Sequence, residues 1–382
     1  MVFKKKILLV FGTRPEALKM YPIYKQLNNH RNSFDTKICV TAQHREMLDS
    51  VLDRFKIRPD YDLDLMTAGQ TLSELTSRIL TNFEEVLIKF KPDLVLVHGD
   101  TTTTFSVSLS CFYNNVKVGH VEAGLRTNNI KSPWPEEFNR QVSSKVSSYH
   151  FAPTETSKTN LLNENIIENV FVTGNSIIDT LFESLSEIKA NKKLEKEIIN
   201  KLNNVNISFD KKIILITGHR RENFGDGFNN ICKAILNLAN QYPDIQFVYP
   251  VHYNPNVKDV VFDLLKDVPN IYLIDPLEYF EFIFILSKSF IILTDSGGVQ
   301  EEAPSLNIPV LVLRNTTERP EALEFGKVKL VGTDYDLIIN EVTRLISDQE
   351  YYNSFTKNKN PYGDGTTSKQ IVKHLLNLEN GI

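Results

Sequence analysis

Three residues suited to acid–base chemistry stand just after apolar segments that predict β-strands. Asp100 follows LVLVHG, Glu122 follows VKVGHV and His219 follows IILITG. A buried carboxylate is costly unless it is paired. Two carboxylates at neighbouring strand ends raise the pKa of one of them, unless a nearby cation opposes the rise. These residues therefore predict a site for proton transfer near neutral pH.

Each carboxylate also has a structural interpretation. Asp100 precedes four threonines and could cap the helix predicted from Thr104 to Tyr113. Arg126 is the expected ion partner of Glu122. The segment SPWPEE contains Glu136 and the only tryptophan, and by itself it is typical of a rigid surface loop.

An anion site is predicted in the segment FIILTDSGGVQEE, residues 290–302. A buried strand would lead to Asp295 and Ser296 as caps, and then to a helix from about Val299 to Ser305. The glycines Gly297 and Gly298 would let the backbone approach a ligand, and a helix start attracts phosphate. In the first turn, Glu301 or Glu302 could reach ribose hydroxyls. The alternative is an ordinary strand–turn–helix connection.

Composition limits the classes of ligand. The formal net charge is −4, from 43 Lys and Arg against 47 Asp and Glu, which gives no reason to expect nucleic acid or an anionic membrane as a partner. Three dispersed cysteines and eight unclustered histidines predict neither disulfides nor a metal site. The apolar run near the N-terminus is too short for a signal peptide, and no run is long enough to span a membrane, so a cytoplasmic protein is expected.

Strands alternate with helices along the whole chain, which predicts an α/β protein with parallel sheets wound on both sides. A charged stretch, residues 183–201, separates two such halves. We expect two doubly wound, Rossmann-like domains that face each other across a cleft: residues 1–174 together with a C-terminal helix in 366–382, and residues 175–365. Ligands of such sheets bind beyond the carboxyl ends of the strands. Arg14 and Lys19, near the first strand end, are spaced to face a phosphate, and the alternative is a solvated basic pair. The predicted helices are residues 18–27, 43–55, 72–90, 104–113, 228–239, 256–265, 279–286, 299–305 and 368–378.

The motifs together resemble one family. FGTRPEALKM, HGDTTTT, GHVEAGLRT, SPWPEEFNR, VTGNSIIDT, TGHRREN and TDSGGVQEEAPSLNIPVLVLRNTTERPEA are similar to those of the non-hydrolysing bacterial UDP-N-acetylglucosamine 2-epimerases. The similarity extends from Ile7 to about Asp334. It implies the GT-B fold, a final helix that crosses back to the first domain, and a homodimer formed through that domain.

The resemblance also implies an isomerase that interconverts UDP-GlcNAc and UDP-ManNAc for surface polysaccharide synthesis. The C2 proton is lost, UDP leaves by anti elimination to give 2-acetamidoglucal, and UDP adds again after reprotonation on the other face. Neither a redox cofactor nor a metal is needed. Which carboxylate serves which face of C2 stays open.

By the same resemblance, individual positions acquire roles. The implied catalytic residues are Asp100, Glu122, Glu136 and His219. Implied substrate contacts are Ser296, Gly297 and Gly298 for the diphosphate, Glu302 for the ribose, Leu277 and Phe282 for the uracil, and the basic residues Arg14, Lys19 and Arg319.

Three other functions remain open at this stage: a GT-B glycosyltransferase, a UDP-sugar sensor without turnover, and the same reaction on a different sugar. Some family members are activated by a second UDP-GlcNAc. Gln43 and His44 fit that pattern, whereas Glu46 and the segment 68–70 depart from it.

Overall fold

The computed structural model describes residues 4–42, 45–65, 67, 69–317 and 319–377, and only the backbone of Glu46. Gln43, His44 and Ala68, which bear on a second nucleotide site, lie outside the described residues. Two compact units make up the chain: unit 1, Met1–Thr180 with Tyr362–Ile382, and unit 2, Leu181–Pro361. The sequence predicts the two domain boundaries after residues 174 and 365.

Unit 1 contains a seven-stranded, fully parallel sheet in the order β3-β2-β1-β4-β5-β6-β7. Its strands are β1 Lys5–Phe11, β2 Phe34–Val40, β3 Tyr61–Asp62, β4 Leu94–His98, β5 Lys117–Val121, β6 Tyr149–Ala152 and β7 Val170–Val172. The helices are α1 Arg14–Asn29, α2 Arg45–Arg54, α3 Leu72–Phe90, α4 Thr102–Tyr113, α5 Glu136–Val146, α6 Glu155–Asn163, α7 Ile177–Ala190, which contains the boundary between the units, and, at the C-terminus, α16 Thr367–Asn377.

Unit 2 contains a six-stranded parallel sheet in the order β10-β9-β8-β11-β12-β13. Its strands are β8 Ile213–Thr217, β9 Gln246–Pro250, β10 Ile271–Ile274, β11 Ile291–Thr294, β12 Val310–Val312 and β13 Val328–Leu330. The helices are α8 Lys192–Asn203, α9 Asp226–Gln241, α10 Pro255–Leu265, α11 Tyr279–Lys288, α12 Gly297–Glu302, α13 Pro320–Glu324, α14 Tyr335–Ser347 and α15 Gln349–Thr356, and short 3₁₀ segments cover Arg221–Asn223 and Ala303–Leu306.

The predicted α/β class, with two Rossmann-like units, is confirmed. The central strands are buried along their whole length, as their continuous apolar runs predict for parallel strands covered on both faces. In each sheet the strand order reverses once, between β1 and β4 in unit 1 and between β8 and β11 in unit 2. Ligands of open α/β sheets bind at such points of reversal. Among the described residues, no helix has both the length and the apolarity needed to cross a membrane.

Several predicted helix boundaries were wrong. The first helix begins at Arg14 and not at Leu18, because Thr13 caps it and Pro15 is compatible with a first turn. The helix predicted from Val299 to Ser305 begins two residues earlier, and α12 passes into a 3₁₀ segment at Ala303. Helix α8, which the sequence pattern did not predict, overlaps the charged stretch at residues 183–201. Its charges hid an apolar stripe, of which Ile198 and Leu202 are buried.

Gly124 brings the loop after β5 close to helix α6. Its φ is +92°, and a Cβ added there would lie 2.2 Å from the carbonyl oxygen of Ser157. Asn160 Nδ2 donates to the Gly124 carbonyl oxygen over 2.9 Å. Only glycine fits this backbone approach, so the G of HVEAGLRT is required by packing.

We expect Gly124→Ala to lower the free energy of unfolding of unit 1 by about 3 kcal/mol, since a left-handed conformation and a backbone clash add together. Urea titration measures the loss. Gly69→Ala is the matched control, because Gly69 also has a positive φ of +74° but an added Cβ there has no atom of the described residues within 4 Å. The control should lose only about 1 kcal/mol, and equal losses would contradict the assigned clash.

Candidate active site

Glu122 stands immediately after β5 in a left-handed conformation, with φ of 63°. Its carboxylate is buried and forms a salt bridge with Lys19, which reaches it from α1. Asn175 Nδ2 donates to the same oxygen over 2.7 Å, and His98 Nε2 lies 3.6 Å from it. A non-glycine residue with positive φ is uncommon, and such strain concentrates at functional sites.

Burial alone would raise the pKa of Glu122, but the Lys19 ammonium and His98 hold it well below its usual range. The expected partner, Arg126, was wrong: its guanidinium binds Glu164 at 2.6 and 3.0 Å. The Lys19 ammonium is paired with a carboxylate of the same unit. Lys19 is therefore more than a basic residue that faces solvent or a phosphate.

Asp100 follows β4, the strand next to β5. Its Oδ2 accepts from both Nε, at 3.1 Å, and Nη2 of Arg140 on α5, and Asn139 Nδ2 donates to its main-chain oxygen over 2.9 Å. The capping interpretation was wrong, because Thr101 is the residue that caps α4. Burial alone would lower the pKa of Arg140, yet the carboxylates around it leave it raised, and these include both Asp100 and Glu122.

Glu136 is the first residue of α5. It is partly exposed and forms no salt bridge with another described residue. The loop before it carries an exposed Trp134. The segment was predicted as a surface loop throughout, but the helix begins inside it. This start orients α5 so that Arg140, one turn later, can bind Asp100.

The sequence argument missed Glu16, which is buried in the same region. Its Oε2 accepts from the main-chain nitrogens of Gly12, at 3.0 Å, and Thr13, at 2.8 Å, and its Oε1 accepts from Thr101 Oγ1 at 2.7 Å. The T-x-x-E spacing of a capping box was the available signal. Glu16 therefore ties the loop after β1 to the loop after β4. Arg14, two residues earlier, is partly exposed and forms no salt bridge with a described residue.

His120, on β5, was also missed. Its Nε2 lies 2.7 Å from the carbonyl oxygen of Gly99, the residue before Asp100. Burial lowers the pKa of His120 to about 3, so a neutral ring donates to that carbonyl.

In unit 2, the ends of β8 and β11 meet at the point where the strand order reverses. His219 follows β8, and its side chain is 41% exposed. Asp295, Ser296 and Gly297 follow β11. Ser296 is the N-cap residue of α12, but no side-chain cap hydrogen bond forms, so its expected capping role was wrong.

Arg319 lies against the start of α12. Its Nε and Nη2 both bind Glu301 Oε1 at 2.7 Å, and a Cβ added at Gly297 would lie 2.7 Å from Arg319 Nη1. The Arg319 guanidinium therefore lies beside the main chain at the start of α12 while it is paired with Glu301.

The remaining predicted contacts, Glu302, Leu277 and Phe282, also belong to unit 2. Glu302 is buried and accepts from the hydroxyl of Tyr279 at 2.8 Å. Leu277 and Phe282 are both partly exposed, one in the loop after β10 and the other on α11. Glu301, the other acidic residue of this pair, is bound by Arg319.

We expect Lys19→Met and Glu122→Gln each to lower the free energy of unfolding at pH 7 by about 3–5 kcal/mol, because each leaves one buried charge without its partner. The double variant should recover most of the loss. Urea titrations measure all three, with hydrogen exchange of unit 1 peptides to assign the transition.

The stability that the Lys19–Glu122 pair contributes should fall as the pH is lowered. The folded-state pKa of Glu122 lies below its usual value of 4.5, so its stabilisation is present above that value and lost as pH falls through the folded pKa. The double variant lacks this contribution. The exposed pair Glu85–Lys89 on α3 is the control, and Glu85→Gln or Lys89→Met alone should change stability little. Losses as large as those of the single variants Lys19→Met and Glu122→Gln would contradict the buried pairing.

Gly297→Ala and Gly298→Ala should have opposite effects on the stability of the ligand-free protein. The first pushes a methyl group into the Arg319 guanidinium and should cost about 1–3 kcal/mol. At Gly298 no atom in the described part of the chain lies within 4 Å of an added Cβ, so alanine should stabilise the helix by up to about 1 kcal/mol. Urea titration separates them, and equal effects would mean that Arg319 does not define this turn.

The sequence model described as UDP-N-acetylglucosamine 2-epimerase matches residues 25–376. The protein of that name from Escherichia coli (strain K12) is 53% identical over 373 residues, which cover 97% of this chain and 98% of the relative. The crystal structure of UDP-GlcNAc 2-epimerase from Neisseria meningitidis, bound to UDP-GlcNAc, is 54% identical, covers 97% of this chain and 100% of that one, and superposes with a TM-score of 0.91.

A more distant structure, the UDP-GlcNAc 2-epimerase of Methanocaldococcus jannaschii in complex with UDP-GlcNAc and UDP, is 35% identical over 97% of this chain and 99% of that one, with a TM-score of 0.81. The two Rossmann-like units have the GT-B fold. With a family match over most of its length and relatives of this identity, the chain belongs to the UDP-N-acetylglucosamine 2-epimerase family.

Proposed function

We propose that this protein is a non-hydrolysing epimerase that interconverts UDP-GlcNAc and UDP-ManNAc. The observation that carries the proposal is the group of carboxylates at the carboxyl edge of the unit 1 sheet. Asp100 and Glu122 follow adjacent strands, each held by a buried cation, and Glu136 begins the helix that supplies one of those cations. A glycosyltransferase or a sensor has no comparable need for three carboxylates, whereas proton removal and return at one carbon does.

The reaction is balanced without an oxidant or reductant. A base takes the C2 proton as the C1–O bond to UDP breaks, which gives 2-acetamidoglucal and UDP. A proton then adds to C2 on the opposite face, and UDP forms a new bond to C1. The proposed catalytic residues are Asp100, Glu122, Glu136 and His219.

The nucleotide is assigned to residues of unit 2. The Arg319 guanidinium beside Gly297, with Ser296 and Gly298, would hold the diphosphate. Glu302 would accept from ribose hydroxyls, with Leu277 and Phe282 beside the uracil. Arg14 is a further candidate for the diphosphate, and Lys19 acts mainly by keeping Glu122 ionised.

The proposal extends to assembly and location. A homodimer through unit 1 is supported by three large side chains on α3 and α4, Ile88, Phe112 and Tyr113, which are more than half exposed. A cytoplasmic location is supported by the three cysteines, which are all free and buried. Supply of UDP-ManNAc for surface polysaccharide synthesis is the proposed physiological role.

We expect the purified protein, with UDP-GlcNAc in D2O and no acceptor, to produce UDP-ManNAc that carries deuterium at C2. Mass spectrometry and proton NMR measure the incorporation. Glu122→Gln should slow exchange by about 10²–10⁴-fold. Glu164→Gln is the matched control, because that carboxylate is ion-paired in the same unit but outside the group, and it should stay near the wild-type rate. Product without deuterium, or turnover only with an acceptor, would refute the proposal.

A further inference from the structure

Asp295 follows β11 and is fully buried. Its hydrogen bonds are not made with Ser296, Gly297 or Gly298, the residues proposed to hold the diphosphate. Its Oδ2 accepts from the main-chain nitrogens of His219 and Arg220, both at 2.8 Å, and from Asn223 Nδ2 at 3.3 Å. All three donors come from the loop after β8. Asp295 thus fixes the backbone at His219 and does not cap its own helix.

The second oxygen of Asp295 is different. Oδ1 is buried and has no hydrogen-bond partner among the described residues, and Nδ1 of His219 lies 3.5 Å away. A buried acceptor without a donor is costly, and such groups in native structures have a reason. At 3.5 Å the contact is close to a hydrogen bond without being a good one, as is common for catalytic groups before substrate binds.

The imidazole is held from a second side. The His219 ring stacks on the ring of His252, with centroids 5.5 Å apart and an angle of 19° between the planes. A neutral imidazole donates from one nitrogen and accepts at the other. If Nδ1 carries the proton toward Asp295, Nε2 is left as the acceptor of the ring.

We infer that Asp295 is a positioning residue for His219: its Oδ1 accepts from Nδ1–H, which fixes the tautomer and leaves Nε2 free to take up and return a proton. The same division of labour between aspartate and histidine operates in hydrolases of unrelated fold. This inference rests on the proposed function, in which His219 moves a proton during loss and return of UDP.

The first test uses the wild-type protein with UDP bound. Nitrogen-15 NMR of imidazole-labelled protein distinguishes a protonated nitrogen from an unprotonated one, and the spectrum of His219→Gln identifies the His219 signals. We expect Nδ1 protonated and Nε2 unprotonated at neutral pH. The opposite tautomer would overturn the inference. Because this readout needs no turnover, it remains decisive even if the protein forms no UDP-ManNAc, an outcome that would refute the proposed function alone.

The second test is Asp295→Asn. The amide oxygen can still accept from the two main-chain nitrogens, but the amide NH2 then faces Nδ1 and favours the wrong tautomer. We expect kcat to fall about 100-fold, the affinity for UDP in calorimetry to change less than about threefold, and the His219 NMR signals to switch. Unchanged kcat, or an unchanged tautomer, would overturn the inference.

Asn223→Ala is the matched control. It removes one donor to Oδ2 and leaves Oδ1 untouched, so it loosens the same loop without changing the tautomer. We expect kcat within about fivefold of wild type. A loss as large as that of Asp295→Asn would mean that Asp295 only holds the backbone, and the inference would fail.

The pH profile gives an independent readout. Burial lowers the pKa of His219, Asp295 opposes this, and Arg220 and His252 lower it further. Among the residues that the structure describes, these are the charged or titratable groups that act on the ring. In Asp295→Asn the opposing charge is gone, so the limb of the pH–rate profile that belongs to His219 should move to lower pH. No shift, or a shift to higher pH, would contradict a contact between the two side chains.

Discussion

The buried salt bridge between Lys19 and Glu122 is the interaction on which the arrangement of unit 1 depends. A carboxylate at the end of a buried strand must be neutralised or hydrogen-bonded, because an isolated charge is very unfavourable away from water. Lys19 comes from the helix after β1, and Glu122 comes from the loop after β5. Their pairing therefore connects elements on both sides of β4, and it keeps Glu122 ionised in a place where burial alone would favour the neutral acid.

The same constraint shapes the neighbouring loops. Asp100 is held by Arg140, which also binds Glu137 at 3.0 Å. The first turns of α5 therefore place a cation at the end of β4. Glu16 is satisfied by main-chain and hydroxyl donors instead of a cation, and burial leaves its pKa raised. Two carboxylates are thus paired with buried cations, while a third serves as a structural acceptor between two loops.

Unit 2 uses main-chain donors and a guanidinium for similar purposes. Asp295 collects three donors on one oxygen, and Arg319 binds Glu301 while it lies against Gly297. The Arg319 guanidinium occupies the space that a Cβ at Gly297 would need, so a larger residue there would displace it. An anion at this turn would therefore meet a guanidinium already fixed by a carboxylate, which lowers the entropy cost of binding.

The sequence by itself determined the α/β class, the positions of the long central strands and the chain positions of Asp100, Glu122 and His219 at strand ends. These follow from local patterns, because buried parallel strands are continuous apolar runs and the residues after them stand out. The motif resemblance determined the family. The helix α8 was not predicted because its many charged residues obscure a narrow apolar stripe. The start of α5 was not predicted because the two prolines before it are typical of a loop.

The pairing of charges was decided by the tertiary structure alone. The sequence does not show which cation pairs with Glu122. Arg126 is only four residues away and was the expected partner, whereas the actual partner, Lys19, is 103 residues away. The same holds for Arg140 with Asp100 and for Asp295 with His219. Which charges meet depends on strand order and on the direction of each loop, and these are set by packing of the whole sheet, which no local pattern encodes.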